Sequence, residues 1–114
     1  MITPEYLAGF FDGEGTFIVS QSIKKSTGKF YPHHTVMLSQ SGGDGLALLE
    51  EIQKEYGGQL YQHLKIGEHK ATKNAYKLYW RKQEAIALIP QLIPHLILKR
   101  KAAEEMMTYL TRSV

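Results

Sequence analysis

The stretch Leu7-Ala8-Gly9-Phe10-Phe11-Asp12-Gly13-Glu14-Gly15 carries an apolar helical turn, interspersed with small residues, directly into two carboxylates set between glycines. Carboxylates are disfavoured at a helix C-terminus, because the last carbonyls carry partial negative charge and attract cations. A positive group is therefore expected at this end. Read in isolation, the stretch also fits a plain helix stop, with Gly13 or Gly15 as the C′ glycine and Asp12 and Glu14 as solvated turn residues. Upstream, Thr3-Pro4-Glu5 supplies an N-cap, a first-turn proline and an acid, so the helix is predicted from Pro4 to about Asp12.

Downstream the period changes. Phe17, Val19 and Ile23 alternate with Ile18, Ser20, Ser22 and Lys24; after a turn near Ser26-Thr27-Gly28, Val36 and Leu38 alternate with Thr35 and Met37. This pattern predicts a hairpin. Gly42-Gly43-Asp44-Gly45 breaks it, and Leu46, Leu49, Ile52 and Tyr56 return at helical spacing, with Asp44 as the expected N-cap and Gly57-Gly58 as the stop. A second hairpin sets Leu60, Leu64 and Ile66 against Tyr61, His63 and Lys65, then Tyr76, Leu78 and Trp80 against Lys77, Tyr79 and Arg81. From Glu84 the spacing is helical again. Pro90 and Pro94 are expected to confine the first piece to a short helix ending near Ile89 and to open another at about Pro94. The order is αββαββα plus a short helix, an α+β domain spanning residues 1–114 without internal repeat or linker.

One face of the strands is predicted to be core, carrying Phe17, Val19, Val36, Leu38, Leu60, Leu64, Tyr76, Leu78 and Trp80. The other carries Ser20, Ser22, Lys24, Tyr31, His33, Thr35, Gln59, Tyr61, His63, Lys65, Lys77, Tyr79 and Arg81. Hydroxyls, amides, imidazoles and cations are the groups that contact base edges and phosphates. The charge distribution agrees. Residues 15–41 and 58–83 hold nine basic residues and one acid, a net +8, while the rest of the chain is −5.

Cysteine is absent, which excludes a disulfide framework and a thiolate zinc site and fits an intracellular protein. The N-terminal Met1-Ile2-Thr3-Pro4, followed closely by acids, does not read as a targeting peptide, and no stretch approaches a membrane span. The five histidines have neither helical i,i+4 nor close zinc spacing.

The nine residues from Leu7 to Gly15 closely resemble the motif of the LAGLIDADG homing endonucleases. They match it at Leu7, Ala8, Gly9, Asp12 and Gly15, with Phe10 and Phe11 for the aliphatic pair and Gly13-Glu14 for Ala-Asp. Two further segments extend the resemblance: Leu38-Ser39-Gln40-Ser41 before the second helix and Pro94-His95-Leu96-Ile97-Leu98-Lys99 before the last. The resemblance implies the homing-endonuclease fold, a curved four-stranded antiparallel sheet that straddles DNA, with helices on its other side.

It also implies an activity: Mg²⁺-dependent, site-specific cleavage of both strands of a long pseudo-palindromic DNA target across the minor groove, leaving short 3′ overhangs. Mn²⁺ is the expected substitute, and Ca²⁺ is expected to support binding only. Glu14 is the implied catalytic metal ligand together with the Gly13 carbonyl, Gln40 (or Ser41, one residue on) would orient water, and Lys99 would stabilise the transition state. One motif in a short chain implies a homodimer, with Leu7, Ala8, Gly9, Phe11 and Asp12 at the helix–helix interface. Asp12 is implied to cap or pair at the helix end, outside the metal's ligands. The implied partners are double-stranded DNA and a second copy, with neither a membrane nor a small-molecule cofactor. The alternative on the same fold is an RNA maturase or a DNA-binding regulator that does not cleave.

Overall fold

The computed structural model describes residues 1–23 and 26–112. Helix α1 (Pro4–Glu14) leads without a linker into strand β1 (Gly15–Ile23), which pairs with β2 (Phe30–Ser41). Helix α2 (Gly42–Tyr56) follows, then β3 (Gln59–Leu64), β4 (Ala75–Tyr79), α3 (Lys82–Leu92) and α4 (Arg100–Arg112). The strands form one antiparallel sheet in the order β1-β2-β4-β3, and the predicted αββαββα order stands.

Register explains the two faces. Phe17 pairs with Val36, Gly15 with Leu38, and Leu38 with Leu78, which in turn pairs with Leu60. This row faces the helices, and Val36, Leu38, Leu78 and Trp80 are buried beneath Leu7 and Phe11 of α1, Leu49 and Ile52 of α2, Leu88 and Ile89 of α3, and Met106 and Leu110 of α4. Phe11 stacks on Phe17 at 4.9 Å between ring centroids and leans on Trp80 at 5.5 Å. The Trp80 indole N–H donates to the Tyr56 carbonyl at 3.0 Å, and the Tyr56 hydroxyl donates to the Ile2 carbonyl, tying the N-terminus to α2.

Several sequence expectations change. Val19 shares the Phe17 face but is 43% exposed, because the helix layer does not cover that end of β1. Leu64 leaves the core face: the pairing slips between Gln62 and Leu64, which puts Leu64 opposite Ala75. The extra residue is His63, a β-bulge that breaks the period of two. Ile66 lies in the β3–β4 loop and is exposed. Helix α2 begins at Gly42 after Ser41, so Asp44 sits inside the first turn, where its charge favours the helix dipole.

Pro90 does not end α3, which continues to Leu92. Burial of Leu88, Ile89 and Leu92 outweighs one missing backbone bond, and the Gln91 amide donates to the nearby Ala87 carbonyl. Pro94 opens only a 3₁₀ turn, Ile93–His95, and the last helix starts six residues later at Arg100.

At the start of α3, Glu84 accepts hydrogen bonds from the backbone N–H groups of Gly58 and Arg81 and from the Gln59 amide. Partial burial raises its pKa, but these bonds and the Arg81 charge outweigh it and hold the carboxyl below its ordinary value.

Gly15 is required where α1 becomes β1. A Cβ built there meets Phe11 Cδ1 at 2.3 Å and Phe11 Cα at 2.8 Å, and the Phe11 ring is held by Phe17 and Trp80. Gly15→Ala is expected to cost about 1–3 kcal/mol, the usual penalty for overpacking a filled site. The midpoint of urea unfolding checks it; an unchanged midpoint would show that α1 and β1 have slack at this junction.

Candidate metal-binding helix end and nucleic-acid interface

Helix α1 has an inward and an outward side. Leu7, Ala8 and Phe11 are wholly buried in the chain's own core, which removes them from the expected interface: an enclosed side chain offers a second chain no surface. Asp12 is also withdrawn. Its Oδ2 accepts the Ile97 N–H at 2.8 Å and its Oδ1 accepts the Lys99 N–H at 2.9 Å, so the carboxylate fixes the segment that starts α4. This is the capping role that the motif resemblance implied for it.

The outward side carries Tyr6, Gly9, Phe10 and Gly13, with Tyr6 and Phe10 in edge-to-face contact. Residues four apart lie on one helical face. A Cβ at Gly9 or Gly13 meets no atom of the chain within 4 Å. Neither glycine is therefore demanded by packing inside the domain, in contrast to Gly15.

At the end of this helix stands Glu14, exposed and, among the described residues, without a hydrogen-bond or ion-pair partner. The expected positive group is Lys99. Its ammonium donates to the Phe11 carbonyl at 3.0 Å and to the Gly15 carbonyl at 2.5 Å, which places the charge on the helix C-terminus that flanks Glu14. Lysine at this position offsets the dipole and satisfies end-of-helix carbonyls. The adjacent Gly13 adds an end-of-helix peptide carbonyl of its own.

Gln40 is placed differently. It lies near the end of β2 in a shallow groove with Glu5, Tyr6, Gly9, Phe10 and Leu48, against the outward side of α1 instead of beside Lys99. Gly45 makes room for it: a Cβ there would come within 2.9 Å of the Gln40 Cβ. One chain thus brings Glu14, Gly13 and Lys99 together and sets Gln40 along the open face of the same helix. Ser41 is the residue before α2 and is exposed.

Free carboxylate and peptide carbonyl are hard oxygen donors of the kind that Mg²⁺ takes, and a helix C-terminus favours a cation. Among the described residues no group of three or more His, Cys, Asp or Glu could hold a metal ion. At this helix end the exposed carboxylate, among the described residues, is Glu14.

The sheet's outer face begins two residues beyond Glu14. Ser20 Oγ lies 3.1 Å from His33 Nε2 across β1 and β2, Thr35 pairs with Ile18, and Lys77 pairs with Ser39 and Tyr61. Tyr61 and Tyr79 touch edge to face. Gln59 keeps its place opposite Tyr79 but donates its amide to Glu84.

Three expected members of this face stand elsewhere. His63 is the bulge residue, Lys65 lies in the β3–β4 loop with its N–H on Glu68, and Arg81 lies past β4 as the N-cap of α3. Ser22 and Tyr31 are backbone partners further along β1 and β2, and Lys24 is outside the described residues. Sequence reasoning left out Ile18 and Met37, which the register puts on this same face; their parity marked them, but their apolar character argued against a polar surface. No helix among the described residues is long and apolar enough to cross a membrane.

The family model described as LAGLIDADG endonuclease matches residues 7–108. No curated protein matches the sequence. Among solved structures, the homing endonuclease I-CvuI in complex with the I-CreI target superposes with a TM-score of 0.75 at 20% identity, covering 95% of this chain and 65% of that one. An archaeal intron-encoded homing endonuclease, I-Vdi141I, complexed with DNA, gives 0.71 at 21% identity and covers 95% and 66%. The meganuclease I-SmaMI bound to uncleavable DNA gives 0.72 at 19% identity and covers 96% and 37%. This chain therefore spans about two thirds of the first two and little more than a third of the last, and at these identities the likeness shows the fold. With the family model running from the first residue of the motif, Leu7, into α4, the chain belongs to the LAGLIDADG endonuclease family.

Proposed function

We propose that this chain is a site-specific, double-strand DNA endonuclease that acts as a homodimer. The observation that carries the reading is the pairing of Glu14, without a partner among the described residues, with an open Gly9–Gly13 face on the same helix. Two copies of α1 packed along that face bring two Glu14 carboxylates together, one beside each strand's scissile phosphate. Ile97 and Leu98, 82% and 80% exposed on the segment that Asp12 ties to this helix end, give the second copy an apolar rim to cover. A C2 pair of this kind reads a pseudo-palindromic target.

Glu14 and the Gly13 carbonyl would hold Mg²⁺, with Mn²⁺ as a substitute. Bound there, the ion supplies an activated water and charge stabilisation for phosphodiester hydrolysis. Lys99 holds the helix end in place and keeps positive charge next to the developing phosphorane. Gln40 orients water from the interface side. The sheet's outer face lies in the major groove and sets the site, while the helix ends meet across the minor groove, so that the cuts leave short 3′ overhangs.

The test is selection of cleaved sequences from a randomised DNA library in Mg²⁺, with bound sequences selected in parallel in Ca²⁺. Both selections are expected to return the same two-fold related half-sites, cut only in Mg²⁺. Bound but uncut sites under both ions would favour the non-cleaving regulator, and one-sided sites would refute the symmetric dimer.

A further inference from the structure

The sheet's outer face is not uniformly polar. Ile18 in β1 is 52% exposed and lies opposite Thr35. Met37, one pairing step nearer the helix end, lies opposite Thr16 on one side and Tyr79 on the other. Tyr79 in turn meets Tyr61 with ring centroids 5.7 Å apart. Diagonal neighbours on one face of an antiparallel pair are about 7–8 Å apart, within reach of long and aromatic side chains. Ile18, Met37, Tyr79 and Tyr61 therefore make an apolar band that crosses all four strands obliquely, bordered by the Ser20–His33 pair on one side and by Ser39 and Lys77 on the other.

A band of this kind, bordered by Lys77 and carried on segments of net +8 charge, suits a polyanion that also presents apolar atoms. DNA meets both conditions. In the major groove the apolar feature of the base edges is the thymine C5 methyl, and apolar side chains read it by contact. A purely apolar protein partner would leave the bordering Lys77 unmatched.

We propose that this band is a thymine reader, with Ile18 packed on the C5 methyl of one thymine in each half-site and Met37 backing it. The proposal rests on the DNA-cleaving reading above and specifies one base of its target. The position of Ile18, three residues past Gly15 on β1, places that base pair outward from the cleavage centre.

The experiment uses the selected duplex with each thymine replaced in turn by 2′-deoxyuridine, which removes the methyl and keeps every hydrogen-bonding group. Binding in Ca²⁺ is expected to weaken about fourfold per half-site at one thymine position, the worth of one buried CH₂ group. Ile18→Ser is expected to bind the thymine and uracil duplexes equally at that position, whereas Ile18→Val keeps the preference. Ile18 is exposed, so both variants should melt with the parent, as circular dichroism will show. Half-sites without thymine, uracil tolerated at every position, or a uracil penalty that survives Ile18→Ser would each overturn the proposal. A parent chain that selects no DNA at all would overturn the endonuclease reading itself, and is distinguished by the absence of any enriched sequence.

Discussion

Glu14→Gln is expected to fold and to bind its selected DNA as the parent does, while cleavage in Mg²⁺ falls by about three orders of magnitude. Folding is spared because the Glu14 carboxylate is exposed and, among the described residues, contacts no partner. Glutamine keeps the shape and one carbonyl oxygen but loses the negative charge that holds a hard cation. A catalytic metal supplies several kcal/mol of transition-state stabilisation, and each 1.36 kcal/mol is tenfold in rate, so losing about 4 kcal/mol gives the stated factor. Gel-shift titration in Ca²⁺ and single-turnover cleavage in Mg²⁺ separate the two effects. Cutting at the parent's rate would remove Glu14 from the chemistry. Lost binding with intact cutting per bound complex would make it a DNA contact instead.

The second large effect is expected at Gly9, and it has opposite signs for the chain and for the dimer. In Gly9→Leu the new side chain meets no atom of its own chain near its Cβ, and leucine exceeds glycine in helix propensity by about 0.8 kcal/mol, so the single domain should gain stability. The dimer should fail. A two-fold axis introduces the leucine twice, so an overpacking cost of about 1–3 kcal/mol per site is doubled, and the dissociation constant rises by about a thousandfold at the middle of that range. Sedimentation equilibrium reads the association and urea unfolding reads the domain. A Gly9→Leu chain that still dimerises with parental affinity would rule out α1 as the interface, and a destabilised monomer would contradict the open space on its outward side.

The sequence-level reading and the structure agree most where a local rule decides. Thr3 accepts the Tyr6 N–H at 3.1 Å as the predicted cap of α1, and the alternation around Phe17, Val36 and Leu78 does form the core face. Disagreement begins where a local rule meets a packing gain. Pro90 should have ended α3, yet Leu92 lies beyond it in the core and holds the last turn. The alternation through β3 should have kept Leu64 inside, yet the bulge at His63 turns it to the other face, and no period-two count reveals an inserted residue.

What the sequence by itself determined is the motif helix, the element order, the two-faced strands and the concentration of basic charge on the two hairpin segments, because propensity, capping and periodicity act over a few residues. Tertiary structure alone decided how the motif's nine residues divide. Leu7, Ala8 and Phe11 turn inward and Gly9 and Gly13 outward, since apolar and small residues surround this helix and only the sheet's position shows which side is covered. It also supplied the partners for the capping role that the motif implied for Asp12, the Ile97 and Lys99 N–H groups before α4, while Glu14 has no partner among the described residues. The cation that makes this helix end tenable, Lys99, comes from 84 residues past Gly15, a distance over which no spacing rule applies and only the folded chain brings the charges together.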